Sequence, residues 1–228
     1  VAECYGARPA ASASRTAAPG HTSREQGAGS TVSAATPITQ IDTSTASRLS
    51  TGFGEFDRVL GGGIVPGSVV LIAGEPGIGK STLLLETAGN INAMEQNLLL
   101  ASTTDLATVL GLIERTRPTL AIVDSAQTIV SQDVDGISGG STQVREVASA
   151  LIDTAKTLNI PVLLVGHVTK DGSIAGPRTL EHLVDVVCQF EGDPETALRM
   201  LRAVKNRFGP TTSVWRKPTL RYSSSTSL

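Results

Sequence analysis

Cysteine is nearly absent from this sequence: Cys4 and Cys188 stand alone and far apart. Structural zinc takes about four closely spaced ligands and a disulfide framework needs several pairs, so neither is expected; no zinc is expected in this chain. Two reduced thiols suit a cytoplasmic protein. Aromatic residues make up only 3%, which leaves Val, Ile, Leu and Ala to build the core. No stretch reaches the roughly 18 apolar residues of a membrane span, and no apolar run of signal-peptide kind opens the chain, so no membrane association is expected. The first residue is Val1 rather than Met, which reads as a fragment of a longer product. The net charge of −2 excludes a chain that is basic throughout, but leaves room for a local basic patch.

What is present is 228 residues at 40% hydrophobic content, enough for one α/β domain and an arm. Residues 1–47 are rich in Ala, Ser, Thr, Gly and Pro, with almost no large apolar side chains. Such a segment cannot bury enough surface to offset its ordering entropy and is predicted to be a disordered arm. From Arg48 onward, β-branched runs alternate with helical patterns. Strands are predicted at 68–73, 98–101, 119–123, 161–166, 183–190 and 200–204. Helices are predicted from Lys80 to about Ala93, over 105–115 with Asp105 near the cap, and over 143–158. The last of these places Val144, Val147, Leu151, Ala155 and Leu158 at helical spacing. Residues 132–141 are Gly, Ser and Asp, hence a loop. This alternation predicts a mostly parallel sheet with helices on both faces.

Gly74-Glu75-Pro76-Gly77-Ile78-Gly79-Lys80-Ser81, followed by Thr82, fills every fixed position of G-x-x-x-x-G-K-[ST]. The spacing has a physical reason. Glycines let successive backbone N–H groups curl around a β-phosphate, and the following helix aims its N-terminus at the same anion. Lys80 is expected to reach the β- and γ-phosphates, and the Ser81 hydroxyl to ligate Mg²⁺. ATP and Mg²⁺ are therefore the expected cofactors. A second acid is needed at another strand end, and Leu120-Ala121-Ile122-Val123-Asp124-Ser125 supplies Asp124. Lys80 and Asp124 are the candidate catalytic residues, and Ser81 and Asp124 the candidate Mg²⁺ ligands. Asp124 is followed by Ser125 rather than Glu, so a base for the attacking water has to come from elsewhere.

Further stretches carry a family resemblance. Arg48 to Gly52 and Phe56 to Gly67 look like the lead-in to RecA-superfamily ATPase cores. Gln143-Val144-Arg145-Glu146, the run from Gly166-His167-Val168-Thr169-Lys170 to His182, and Lys205-Asn206-Arg207-Phe208-Gly209 narrow the likeness to the bacterial RadA (Sms) family. The resemblance covers residues 48–212. It implies a RecA-like P-loop fold, a DNA-dependent ATPase of recombinational repair, and a homo-oligomer, a hexamer in form, moving on single-stranded DNA and recombination intermediates. It further implies that Lys205 and Arg207 reach a neighbouring subunit's nucleotide, that Arg145 and Lys170 contact DNA beside the 132–141 loop, and that His167 senses nucleotide.

Three departures stand out. The family's N-terminal four-cysteine module is represented only by Cys4. Residues 213–228, a basic Ser/Thr tail, resemble nothing in the Lon-protease-like domain that follows in the family. Between Glu86 and Thr103 the family has room for a further strand carrying the glutamate that polarises water, and this chain lacks it. Two alternatives to the active ATPase therefore stay open: a nucleotide-binding remnant with little hydrolysis, and a KaiC-like regulatory ATPase, which the Lys205–Gly209 segment disfavours. The Leu98-Leu99-Leu100 run is expected to leave a sheet edge poorly covered.

Overall fold

The computed structural model describes residues 2–6, 47–95, 97–167, 180–192 and 198–218. Strand β2 (Val69–Gly74) reads VVLIAG and is buried at every position, which requires cover on both faces of the sheet. Its alternation assigns the faces. Val69, Leu71 and Ala73 belong to one apolar cluster and Val70 and Ile72 to the other. The neighbouring strands β4 (Ala121–Asp124) and β5 (Val162–His167) divide in the same way: Val123 and Leu164 face one side, Ile122 and Leu163 the other.

The first face is covered by α3 (Leu106–Thr116) and α4 (Ser141–Leu158), through Leu106, Val109 and Ile113 and through Val144, Val147, Ala148, Leu151 and Ala155. Those residues recur at three- and four-residue steps, so each helix turns one apolar stripe inward. The second face is covered by α1 (Gly54–Val59) and by α2 (Lys80–Glu95), which buries Leu83, Leu84, Ala88 and Ile91. Asp105 caps α3 by accepting from the Thr108 amide at 2.9 Å, the position at which the sequence places a cap.

The eight strands lie in the order β3-β1-β4-β5-β2-β6-β7-β8. The central pairs β4–β5, β5–β2 and β2–β6 are parallel, with β6 spanning Val186–Gly192. Strand β7 (Leu198–Asn206) runs antiparallel to β6, and β8 (Val214–Pro218) antiparallel to β7. The strands and helices predicted from Ser68 to Val204 are all found, with boundaries moved by a few residues.

One expectation is corrected. Residues 2–6, inside the segment read as an arm, form β1 (Ala2–Gly6), antiparallel to both β3 (Leu99–Thr103) and β4. A low apolar content does not prevent this, because residues 3–5 have a main-chain ladder on both sides. The remainder of that segment lies outside the described residues. Strand β8 occupies the first part of the basic Ser/Thr tail read over 213–228. The physical reason is Trp215, which is 6% exposed and packs its ring 5.6 Å from Phe53 and 5.8 Å from Phe56, stacked on the latter. At the opposite edge, Leu98, Leu99 and Leu100 are 41%, 43% and 64% exposed, as the leucine run leads one to expect.

Candidate functional site

The P-loop joins the C-terminal end of β2 to the first turn of α2, and the fold explains its glycines. Gly77 and Gly79 have φ of 76° and 104°, a region that side chains disfavour. Gly74 is required by closeness instead: a Cβ there would lie 2.5 Å from the Phe190 carbonyl oxygen on β6. The Phe190 ring lies under the loop, with its Cε1 3.8 Å from where a Gly79 Cβ would stand. Phe190 thus supports the loop from below, a role that spacing alone could not reveal.

Lys80 is 4% exposed, and its Nζ donates to the carbonyls of Gly74 and Glu75, each at 2.8 Å. Burial pushes its pKa down, and the Asp124 carboxylate partly restores it. The Ser81 hydroxyl donates to Asp124 Oδ2 across the gap between α2 and β4. The two side chains read as Mg²⁺ ligands are therefore in direct contact, 43 residues apart in sequence. No group of three or more His, Cys, Asp and Glu among the described residues could hold a metal by itself. One carboxylate and one hydroxyl fit a Mg²⁺ that takes its other ligands from phosphates and water. Glu75, Pro76, Gly77, Ser81 and Thr82 are exposed, with Ile78 and Gly79 half-buried, so the loop forms an open cradle. A cavity of about 400 Å³ lies elsewhere, at the opposite ends of β4 and β5, lined by Arg48, Pro118, Asn159 and Pro161 among others.

His167 ends β5 directly opposite Gly74 in register. Its pKa is lowered by burial and then by the charge on Lys80, with Asp124 acting in the other direction. Ser125 and Gln127 follow Asp124 in a turn tied to β5 by the Ala126 amide, which donates to the Val165 carbonyl at 3.0 Å. Sequence reasoning assigned neither residue a role. On β1, Glu3 lies opposite Asp124 in the ladder, and nothing in the sequence brings those positions together.

The Lys205–Gly209 segment lies at the other end of the sheet. Asn206 pairs with Val186, which pairs with Val70 near the start of β2; four residues of strand, about 13 Å, separate that level from Gly74. Lys205 Nζ donates to the carbonyls of Glu181 and Val184 at 2.6 and 2.9 Å. Arg207 pairs with the buried Asp185 at 3.0 Å, whose other oxygen accepts from the Val69 amide. Asn206 Nδ2 donates to the Val59 carbonyl, and a Cβ on Gly209 would lie 2.7 Å from Gly61 Cα. Within the chain this motif stitches β6 and β7 to the lead-in segment. Arg145 is exposed on the second turn of α4. Gln143 holds the preceding loop by accepting from the Ser131 amide and donating to its carbonyl. Lys170 lies outside the described residues.

Comparison with known proteins bears on the whole arrangement. A DNA repair protein RadA from Mycobacterium tuberculosis (strain ATCC 25618 / H37Rv) is 50% identical over 205 residues, 78% of this chain and 43% of that protein. The chain carries a RadA-type core. RadA from Bacillus subtilis (strain 168) is 44% identical over 207 residues, 79% of this chain and 45% of that protein. RadA from Streptococcus pneumoniae (strain ATCC BAA-255 / R6) is 43% identical over 202 residues, 78% and 48%. The chain thus spans less than half the length of these RadA proteins. No protein-family model matches it. Among solved structures, the RadB recombinase superposes with a TM-score of 0.52 at 22% identity, covering 74% of this chain and 94% of that one. At that identity the likeness speaks for the fold, which is RecA-like, and the RadA-type core is built on it.

Proposed function

We propose that this chain binds ATP-Mg and hydrolyses ATP while acting on single-stranded DNA in recombinational repair. The observation that carries the reading is the contact between Ser81 and Asp124 beside a buried Lys80. In this reading Gly74 to Thr82 wrap the phosphates, and Lys80 exchanges its carbonyl partners for phosphate oxygens. Mg²⁺, held by Ser81 and Asp124, would neutralise charge on the transferring phosphoryl group. Lys205 and Arg207 sit too far from their own P-loop to reach it, which supports a role at a neighbouring subunit's nucleotide in a homo-oligomer. Arg145 and Lys170 are the proposed DNA contacts, and the cytoplasm the proposed location. No helix among the described residues is long and apolar enough to cross a membrane.

One observation favours a second reading, a nucleotide-binding remnant with weak hydrolysis: the strand beside β4 is the antiparallel β1 rather than a parallel strand. Steady-state ATP turnover with and without single-stranded DNA separates the two. The active reading expects turnover that rises with DNA and vanishes in Lys80→Ala. Micromolar ATP binding with turnover at background overturns it in favour of the remnant.

A further inference from the structure

Burial removes water from polar atoms, so a buried donor or acceptor without a protein partner marks a place where something else is bonded. Among the described residues three side-chain atoms are in this state: Ser125 Oγ, Gln127 Oε1 and His167 Nδ1. They are not scattered over the molecule. Ser125, 3% exposed, directly follows Asp124, and Gln127 lies two residues further along the same turn. Gln127 Nε2 donates to the His167 carbonyl at 3.4 Å, and His167 is in register with the first residue of the P-loop. The three open atoms therefore gather over the C-terminal ends of β4 and β5, where Lys80 and Asp124 also lie.

Gln127 is the best anchored of the three for holding a small molecule. One arm of its carboxamide is committed to His167. Its own carbonyl accepts from Ser138 Oγ at 3.3 Å, which fixes the backbone from the loop side. The second arm is open, and turning the amide over would set its oxygen against the His167 carbonyl, acceptor to acceptor, so the open atom is the oxygen. A hydrolytic site at this place needs a water held in line with the γ-phosphorus, and a carboxamide acceptor can hold one.

We infer that Gln127 orients the attacking water, an inference that rests on the ATPase reading above. Its carboxamide oxygen accepts one O–H of the water and turns the oxygen lone pair toward phosphorus. The water oxygen bonds to the γ-phosphorus as the bridging P–O bond to the β-phosphate breaks, and ADP leaves with that electron pair. The water's proton goes to a γ-phosphoryl oxygen, so ATP and water give ADP and phosphate, and Gln127 neither gains nor loses a proton. Ser125 Oγ and His167 Nδ1 complete the polar wall around that water.

The test uses the full chain with Mg²⁺ and compares Gln127→Ala, Gln127→Glu and Glu3→Gln. In Gln127→Ala, kcat is expected to fall about a hundredfold, with KM and the affinity for ATPγS held within about twofold. The preference for ADP with aluminium fluoride over ADP alone is expected to shrink by a similar factor. Gln127→Glu keeps an acceptor and is expected to regain part of the turnover, with a new acid limb in its pH profile. The inference is overturned if Gln127→Ala keeps kcat within about twofold, or if it loses ATPγS affinity together with turnover. It is equally overturned if Glu3→Gln abolishes turnover while Gln127→Ala does not. Should the parent bind ATP with turnover at background, the ATPase reading falls by itself. The aluminium fluoride preference then decides for Gln127: unchanged in Gln127→Ala, it overturns the inference as well.

Discussion

His167 illustrates how much of the site is a property of single residues in a made environment. Burial comes first and the Lys80 charge second in pushing its imidazole below the ordinary value of about 6.5. The folded protein therefore resists taking up this proton where the unfolded chain accepts it. The sign follows: His167 costs nothing above about pH 6.5, and stability is lost as pH falls from there toward the lowered folded value. In the metal-free protein, NMR titration of His167 is expected to give a midpoint below 6.5, and Asp124→Asn to lower it further. A midpoint at or above 6.5 would contradict the burial described for it. At this scale the sequence was readable where chemistry demands fixed spacing, as from Gly74 to Ser81, and at Asp124 at the end of an apolar run. Ser125, Gln127 and Phe190 were not readable. Their significance comes from which carbonyl, ring or empty direction the fold sets beside them.

Among the elements, α3 shows a local rule overridden by its surroundings. It ends on Arg117 with φ 45° and ψ 58°, and the Arg117 amide closes the helix on the Ile113 carbonyl at 2.9 Å. The left-handed conformation costs an L-residue about 1–2 kcal/mol. Glycine avoids that cost, but its freer unfolded chain takes back roughly 0.4–1 kcal/mol. Arg117→Gly is therefore expected to stabilise the protein by about 0.5–1 kcal/mol, read as a higher urea midpoint at unchanged slope. A lower midpoint would mean that the Arg117 side chain, whose Nε donates to the Glu114 carbonyl, contributes more than the backbone strain costs. The elements legible from sequence were those with strong periodicity or continuous burial: β2, β4, β5, α3 and α4. Strands β1 and β8 were missed because neither carries an apolar alternation. The first depends on main-chain pairing with partners distant in the chain, the second on a single tryptophan that finds Phe53 and Phe56.

At the scale of the whole molecule, β1 lies between β3 and β4 and, among the described residues, joins β3 to the rest of the sheet. Deleting residues 1–6 is expected to open the ladder Glu3–Asp124, Cys4–Val123 and Tyr5–Ile122, so amide exchange should quicken across β3 and β4. α3 should keep its protection, because Leu106, Val109 and Ile113 remain packed against α4. Exchange rates in β3 and β4 equal to those of the intact chain would remove β1 from this place. The pairing has a consequence for assembly in time. Ala2 meets Thr103 across about a hundred residues, and the parallel core closes a loop of similar length where Val70 of β2 meets Val186 of β6. The helices need no such closure. During synthesis β3 and β4 are made before β5 and β6, so residues 2–6 meet both their partners before β2 has its own neighbours and before Phe190 is there to support the P-loop.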